Sequence, residues 1–327
     1  DLWGRVRSDV AAASEATLAT ALDSEFARQS LAASVGEAWF LAIEARRQLA
    51  IDLDRLEAER STAEITRDRV AAGVGTQLEA ELVEANVAIA TAAVRRDEAA
   101  IVELVKALEA LLGRYPAAEL AVAEELPAVP GPVATGVPSA LLARRPDIAA
   151  ADRRVAAAFH LRESARAAQL PQLMLTGSLG TLLDPSESIW SIGANLLAPI
   201  FVGGRLQAQV EIATAQQRQA LAQYVAVAIA AFREVETALA NEQYLALRQA
   251  ELEKAVVRSR NASRIAEDRY EAGIISIIDL MVIRRQDFET RSILLLVRTD
   301  RLRQRLTLYR ALGGSFNQER AALQPPE

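Results

Sequence analysis

The pattern of apolar and polar positions predicts unusually long helices. Residues 5–70 contain no proline and only one glycine, Gly36, and the helix-favouring residues Ala, Leu, Glu, Arg and Gln dominate. Near the C-terminus, apolar residues recur every seven positions, the spacing of a coiled-coil seam, at Met281, Phe288, Leu295, Leu302 and Tyr309. A helix of about 65 residues would be roughly 100 Å long, so this pattern predicts a coiled coil or a helical bundle.

An internal repeat divides the helical sequence into two copies. Residues 1–113 align with residues 201–313 without a gap, and the motif D-R-x-x-A-G begins at Asp68 in the first copy and at Asp268 in the second. Each copy is predicted to be a long helix, a tight turn and a returning helix. The fold is therefore predicted to be mainly α, with two repeated, very long helical hairpins.

The turn between the two helices has the same chemistry in both copies. Gly73 and Gly273 lie where a helix would end in the left-handed conformation. Thr76 and Ser276 follow three residues later, where the returning helix needs an N-cap.

Between the copies the apolar period changes from that of a helix to that of a strand. Residues 171–202 contain two runs of roughly ten residues in which apolar positions alternate with small or polar ones. The apolar face is predicted to comprise Leu173, Leu175, Leu179, Trp190, Ile192, Leu196 and Ile200. This pattern fits a membrane β-hairpin, and also a hairpin that covers a soluble core. Because an isolated hairpin is marginally stable, we expect its partner strands to come from other subunits or from sequence outside this chain.

These patterns divide the chain into six segments. They are residues 1–113, the first helical repeat; residues 114–145, a proline- and glycine-rich connector; residues 146–170, a helix; residues 171–202, the β-hairpin; residues 203–313, the second helical repeat; and residues 314–327, a C-terminal tail. The connector is expected to be irregular or extended, because proline and glycine break helices.

Arginines recur at intervals of seven beside the coiled-coil seam of the second repeat. They could line a lumen or bridge to acidic residues on a neighbouring helix, but exposed ion pairs stabilise a fold little. We therefore predict a solvated stripe at Arg284, Arg291, Arg298 and Arg305.

Composition excludes most kinds of chemistry. The 327 residues include no cysteine and one histidine, so disulfides, thiolate metal sites and histidine-rich zinc sites are excluded, and His160 is expected to be structural. The net charge of −6 argues against a nucleic-acid partner. The longest apolar run is about nine residues, against the roughly 20 that a transmembrane helix needs. Because no catalytic motif or phosphate-binding loop is found, we predict that the protein is not an enzyme and needs no cofactor or metal.

Three local motifs and the repeated turn resemble those of a known family. The motifs are LARRPDI at residues 142–148, LPQLMLTGSLG at residues 170–180 and GANLLAPIFVGGR at residues 193–205, and the R-x-x-x-G turn begins at Arg69 and again at Arg269. With these motifs the chain is similar to the outer-membrane efflux proteins, the TolC-like channels, and especially to their multidrug-efflux lipoprotein branch. The resemblance covers the whole chain in order and spacing.

The resemblance implies a homotrimer in the outer membrane of a Gram-negative bacterium. In this family the strand pairs form a twelve-stranded β-barrel among outer-membrane lipids, and the long helices form a periplasmic α-barrel. The helix tips close the channel and meet a periplasmic adaptor (membrane fusion) protein and an inner-membrane efflux pump. The implied function is passive export of small molecules and drugs through the exit duct of a tripartite efflux system. A soluble periplasmic coiled-coil adaptor or scaffold protein is the alternative that we keep open.

The resemblance also assigns residues at the turns. The tip that would contact the adaptor comprises Arg69, Gly73, Gly75, Arg269, Gly273 and Ser276. Family members often carry an aspartate nine residues after the turn glycine, at the periplasmic constriction; here that position is Val282, and the nearest acidic residue is Asp279. Asp279 supplies an acidic ring in one interpretation and only stabilises its helix N-terminus in the other. Because a strand pair precedes each repeat in the family, we expect this chain to lack an N-terminal part that contains the first pair.

Overall fold

A computed structural model describes residues 1–131, 144–181 and 188–314 of the chain. Its elements are α1 (Arg5–Ala71), α2 (Gln77–Leu111), α3 (Pro146–Ala167), β1 (Gln172–Thr181), β2 (Ser188–Leu197), α4 (Arg205–Glu271) and α5 (Ile277–Ala311). The two strands separate two helical hairpins, α1–α2 and α4–α5, so the predicted mainly α fold with an inserted β-hairpin is confirmed. Most of the predicted C-terminal tail and part of the predicted connector lie outside the described residues.

The two helical repeats have the same length and the same turn. Helices α1 and α4 each have 67 residues, and α2 and α5 each have 35. The turn glycines have positive φ, 76° at Gly73 and 73° at Gly273, as predicted for a left-handed helix end. In both turns the glycine N–H and the following N–H donate to carbonyls of the last helical turn, which satisfies groups that a helix end would otherwise leave unpaired.

The returning helices begin with a reciprocal cap, as Thr76 and Ser276 predicted. The Thr76 hydroxyl accepts from the Glu79 N–H at 3.3 Å, and the Glu79 carboxylate accepts from the Thr76 N–H at 2.8 Å. Ser276 and Asp279 exchange the same two hydrogen bonds, each at 3.2 Å. Each cap satisfies two N–H groups at the start of a helix.

The chain divides into two compact units. Among the described residues, the first unit takes in residues 1–28, 144–181, 188–233 and 312–314, and the second takes in residues 29–131 and 234–311. In the described part of the first unit, the buried apolar side chains are alanines apart from Pro146 and Ile148. Because such small side chains allow helix backbones to approach closely, they account for the alanine-rich composition of these helices.

The second unit has larger side chains in its core. One cluster joins all four long helices and comprises Ala63, Val83, Ala266, Tyr270, Ile277 and Leu280. A second cluster packs Ile43 of α1 and Val105 of α2 against Val122, which follows α2 in the irregular chain. Both hairpins therefore contribute to the first of these clusters, whereas the second is built from the first hairpin and the chain that follows it.

The chain after α2 is held to its helix by one carboxylate. The N–H groups of Ala118, Glu119 and Leu120 donate to the Glu109 carboxylate at 2.7, 2.8 and 3.0 Å. Burial acts to raise the pKa of Glu109, but these backbone hydrogen bonds outweigh it and lower the pKa. An ionised Glu109 therefore fixes the start of the predicted connector.

The β-hairpin has the predicted alternation of faces. Antiparallel register places Leu173 opposite Leu196, Leu175 opposite Ala194, Gly177 opposite Ile192 and Leu179 opposite Trp190. Because directly opposite residues share a face, six of the seven predicted apolar residues lie on one face of the sheet. The exception is Ile200, which lies beyond the end of β2 at Leu197. The strand prediction was wrong there, because Pro199 has no N–H to continue the ladder.

Candidate functional site

The turns of the two repeats hold equivalent arginines in different surroundings. Arg69 Nη1 donates to the Tyr270 carbonyl at 3.3 Å, and its guanidinium lies 5.2 Å from the centre of the Tyr270 ring. The Tyr270 hydroxyl lies 3.1 Å from the Thr66 hydroxyl. Arg269 is exposed, and its side chain forms no hydrogen bond or ion pair with any residue that the structure describes. Of the two predicted tip arginines, only Arg69 is therefore committed to an intramolecular contact.

The other predicted tip residues lie together within each turn. Gly75 is closely approached, since a Cβ there would lie 2.9 Å from Val70 Cγ2. The side chains of Val74 and Ile274 protrude from the two turns and are exposed. Each turn therefore presents a glycine and one exposed apolar side chain at its surface.

The two residues predicted at a constriction lie in the first turns of α5. The carboxylate of Asp279 accepts from both the N–H and the hydroxyl of Ser276, the latter at 2.7 Å. Val282 is exposed. Asp279 thus acts as a helix cap in this chain, and a part for Asp279 and Val282 in a constriction stays a prediction.

The two repeats meet along a set of polar contacts in the second unit, which we call the repeat seam. It joins Asp54 to Arg291 at 2.6 Å, Thr66 to Tyr270 at 3.1 Å, Arg69 to the Tyr270 carbonyl at 3.3 Å and the Ala58 carbonyl to Arg284 at 3.1 Å, and Arg284 also donates to Thr62. The residues from α1 follow at intervals of three or four and therefore share one helix face. Sequence analysis found the repeat but not the faces through which its copies meet.

The predicted solvated stripe of arginines is wrong except at the exposed Arg298, and the alternative of bridges to acids on neighbouring helices is the one that the structure has. Each of the four pairs with an acid on another helix: Arg284 with Glu267, Arg291 with Asp54, Arg298 with Glu253 and Arg305 with Glu242, at 2.6 to 2.9 Å. The side chains of Arg284 and Arg305 keep only 13% and 5% of their exposed area. The arginines recur every seven residues because they lie on one face of α5, which packs against acidic residues of α1 and α4. The sequence of α5 alone does not show these partners.

One ion pair occurs in both repeats with its charges exchanged. In the first repeat, Arg67 Nε donates to Glu84 Oε1 at 2.7 Å. In the second repeat, Arg284 Nε donates to Glu267 Oε1 at 2.9 Å. Both pairs join residues 17 positions apart across a hairpin, and positions 67 and 267, like 84 and 284, are equivalent in the repeat. The contact was kept while its polarity was reversed.

Two buried acids with raised pKa values, Glu59 and Asp97, were not recognised in the sequence. Burial raises the pKa of Glu59, against the opposing effect of Arg284 and Arg55. Burial also raises the pKa of Asp97, and its hydrogen bond with Asp52 adds to this, although the neighbouring Arg96 acts in the opposite direction. In the sequence, such a buried acid could have been recognised as an acidic residue at a position where the helical period otherwise places apolar, inward-facing residues.

The β-hairpin has large apolar side chains without cover. Leu179 is 81% exposed and Ile192 is 79% exposed, and Leu175 and Trp190 are exposed as well. On the opposite face the hydroxyls of Ser178 and Ser191 lie 2.8 Å apart. The sheet has two strands in the part of the chain that is described, so its two outer edges have no strand partner there.

Metal-ligating side chains are not clustered in the described part of the chain. Across residues 1–131, 144–181 and 188–314, no group of three or more His, Asp or Glu side chains is arranged to hold a metal ion. His160 packs edge-on against Phe159, with ring centres 5.6 Å apart. Within the same ranges, no helix is both long and apolar enough to cross a membrane.

Comparison with known proteins identifies the class of protein to which this fold belongs. A membrane protein of solved structure from Pseudomonas aeruginosa superposes with a TM-score of 0.93 at 33% identity, over 99% of this chain and 74% of that one. The outer membrane protein VceC of Vibrio cholerae superposes with a TM-score of 0.89 at 27% identity, over 97% of this chain and 78% of that one. The fold is therefore that of a bacterial outer-membrane channel protein.

Sequence comparison identifies the family. The family model described as outer membrane efflux protein matches residues 1–114 and 137–314. The outer membrane protein OprJ of Pseudomonas aeruginosa is 33% identical over 335 residues, which cover 98% of this chain and 69% of that protein. The chain belongs to the outer membrane efflux protein family. It is thus the outer-membrane channel of a tripartite efflux system in a Gram-negative bacterium, with its long helices in the periplasm.

Proposed function

We propose that this chain works as a homotrimer, in which the helical hairpins surround a bore that small molecules and drugs cross without catalysis. The exposed strand pair supports this proposal most directly. A two-stranded sheet is marginal by itself, and this one leaves both outer edges unpaired within the described residues. Strands from further copies would pair with those edges, and outer-membrane lipids would cover Leu179 and Ile192.

The turns of the repeats are proposed to contact a periplasmic adaptor, which in turn links the duct to an inner-membrane pump. The tip residues Arg69, Gly73, Gly75, Arg269, Gly273 and Ser276 would form this surface together with the exposed Val74 and Ile274. Asp279 and Val282 are proposed to lie at the periplasmic constriction. Because the duct has no energy source of its own, the pump would supply the driving force for export.

Reconstitution tests the proposed function. The protein in detergent should be trimeric by native mass spectrometry and should give single-channel conductance in planar bilayers. A monomeric protein that does not conduct would contradict the proposal.

Matched strand variants test the lipid contact. Leu175→Arg places a charge on the face proposed to meet lipid, whereas Thr176→Arg places the same charge on the other face of β1. A cation at mid-membrane costs about 2–4 kcal/mol, so Leu175→Arg should reduce the amount of protein in the outer membrane much more than Thr176→Arg does. If both variants reduced the amount of protein in the outer membrane equally, the face of Leu175 would not be the one that contacts lipid specifically.

Site-specific photo-crosslinking tests the adaptor contact. A photoreactive residue at position 274 should capture the adaptor in cells, while one at the exposed Glu103 on the shaft of α2 should not. Capture from position 103 alone would move the adaptor contact away from the turns.

A further inference from the structure

The repeat seam occupies one of two equivalent helix faces. Because the repeats are offset by 200 residues, the face that α1 uses in the seam recurs on α4. The equivalents of Asp54, Ala58 and Arg69 are Lys254, Arg258 and Arg269. All three are exposed, and the side chains of Arg258 and Arg269 form no hydrogen bond or ion pair with a described residue. At these three positions the α4 face therefore has no partner on another described helix, whereas Ala266, the equivalent of Thr66, is buried in the core that the two hairpins share.

The charges on α1 suit the cations that it meets. Asp54 pairs with Arg291, and the buried Glu59 lies close enough to Arg284 for that guanidinium to oppose the raised pKa of the carboxyl. The Ala58 carbonyl also accepts from Arg284 at 3.1 Å. In the repeat seam, the α1 side is thus acidic and the α5 side is basic.

The residues equivalent to those of the repeat seam differ from them in charge, both on α4 and on α2. Position 254 is Lys254 instead of an aspartate, position 258 is Arg258 instead of an alanine, and position 259 is Ser259 instead of a glutamate. The residue equivalent to Arg284 is Glu84 on α2, whose side chain is 44% exposed in its pair with Arg67. Since Glu84 has no hydrogen to donate to a backbone carbonyl, an intermolecular seam needs a cation opposite it, and Arg258 supplies one at the equivalent position.

We propose that Glu84 of one copy of the chain pairs with Arg258 of a second copy, in an intermolecular seam equivalent to the repeat seam. By the same equivalence, Arg269 donates to the Val70 carbonyl of the second copy, as Arg69 donates to the Tyr270 carbonyl within the chain. Glu84 is then shared between Arg67 of its own hairpin and Arg258 of the neighbour.

The occupant of this face is a second copy of the chain because the chain already contains both halves of the contact. One half is the α4 face, and the other is the region of α2 around Glu84. Contacts of this head-to-tail kind form a ring when the rotation closes. The number of copies in the ring rests on the proposed homotrimer. The reversal of charge would also prevent α1 from taking the place of α4, since Asp54 and Glu59 repel Glu84.

Cross-linking between introduced cysteines tests the intermolecular pair directly, because the chain contains no cysteine of its own. The full chain carrying Glu84→Cys and Arg258→Cys should form covalent dimers and trimers with a short bis-maleimide. Each single-cysteine variant should stay monomeric on a denaturing gel. Thr62→Cys with Arg284→Cys, which lie across the repeat seam, should cross-link within one chain and form no ladder.

Charge exchange provides a second measurement on the same pair. Glu84→Arg and Arg258→Glu should each raise the dissociation constant of the assembly in detergent by roughly tenfold, and the double variant should restore most of the loss. Glu103→Arg, on an exposed position about 100° around α2 from Glu84, should change it little.

The outcomes separate this inference from the proposed function. A stable trimer that does not cross-link between positions 84 and 258, and that tolerates both charge reversals, overturns the inference and leaves the duct intact. If the unaltered protein forms no trimer, the proposed function fails and the intermolecular seam fails with it.

Discussion

The first and second repeats share a backbone but differ in the polar groups that they bury. Their helices have equal lengths, 67 and 35 residues, and their turn glycines have φ values within a few degrees of each other. The first repeat buries Asp97, where the second has the buried apolar Val297. The first also holds its connector through Glu109, where the second has Tyr309.

The difference shows which features the backbone requires and which depend on the neighbours of each copy. A helix end with positive φ needs glycine in both repeats, and a returning helix needs a side-chain cap in both. The ion pairs are less constrained, because the same hairpin contact can be made with Arg67 and Glu84 or with the charges exchanged. The polarity of such a pair is then set by the helix that packs against it, as α1 packs against Arg284.

The largest expected difference between the repeats concerns this ion pair. Arg284→Met should lower the free energy of unfolding by about 3 kcal/mol, because it leaves the half-buried Glu267 without its cation and the buried Glu59 with Arg55 alone. Arg67→Met, in the exposed equivalent, should lower it by less than about 1 kcal/mol. Denaturant unfolding followed by circular dichroism measures both, and equal losses would show that burial does not distinguish the two pairs.

The next difference concerns the glycines that end the returning helices, Gly113 and Gly313. Both have φ of 70°, so alanine costs about 1 kcal/mol at either position. At Gly313 a Cβ would also lie 2.9 Å from the backbone carbon of Arg144, whereas no atom lies within 4 Å of a Cβ at Gly113. Gly313→Ala should therefore lower the free energy of unfolding by about 2–3 kcal/mol and Gly113→Ala by about 1. Thermal unfolding should give a lower midpoint for Gly313→Ala than for Gly113→Ala. Equal midpoints would mean that the backbone at Arg144 moves away from the new Cβ without loss of stability.

Sequence patterns predicted the features that are encoded locally. The repeat, the turn at Gly73 and Gly273 and the shared face of the strands each follow from a period or from a residue type that one conformation requires. The contacts of Arg284 with α1 and the burial of Glu59 were not predictable in the same way. They depend on which helix faces meet across more than two hundred residues, and the sequence of one helix carries no information on that register. Ile200 was misassigned because its apolar period continues past Pro199, where the ladder loses its donor.

A smaller effect is expected from the buried acid of the first repeat. Burial and the hydrogen bond with Asp52 raise the pKa of Asp97, against the effect of Arg96. The folded chain therefore keeps a proton that the unfolded chain loses above about pH 4, and its stability falls as the pH rises through the raised pKa. Asp97→Asn should raise the unfolding midpoint at pH 8, and the gain should disappear by pH 4.

The second repeat supplies the control for this pH dependence. Val297→Asn places the same amide at the equivalent, fully buried position, which has no titrating group to lose. It should lower the unfolding midpoint similarly at pH 8 and pH 4, because it buries a polar group without a partner. A gain for Asp97→Asn that is the same at both pH values would show that ionisation of Asp97 is not what destabilises the fold.

The smallest effects are expected at the two helix caps, and they should be equal. Thr76→Ala and Ser276→Ala each remove the side-chain acceptor of a reciprocal cap, and Ser276→Ala also removes an exposed hydrogen bond to Asp279 that we expect to add little, so each should lower the free energy of unfolding by about 1 kcal/mol. Chemical denaturation of the two variants in parallel measures the difference, which should be under about 0.5 kcal/mol. If the caps are equal in stability but only Ser276→Ala reduces export in cells, Ser276 has a contact outside the chain, as proposed for the tip. If the Ser276→Ala variant is instead much less stable than Thr76→Ala, the hydrogen bond from the Ser276 hydroxyl to the Asp279 carboxylate contributes to stability beyond the cap. Asp279 would then be primarily a structural residue.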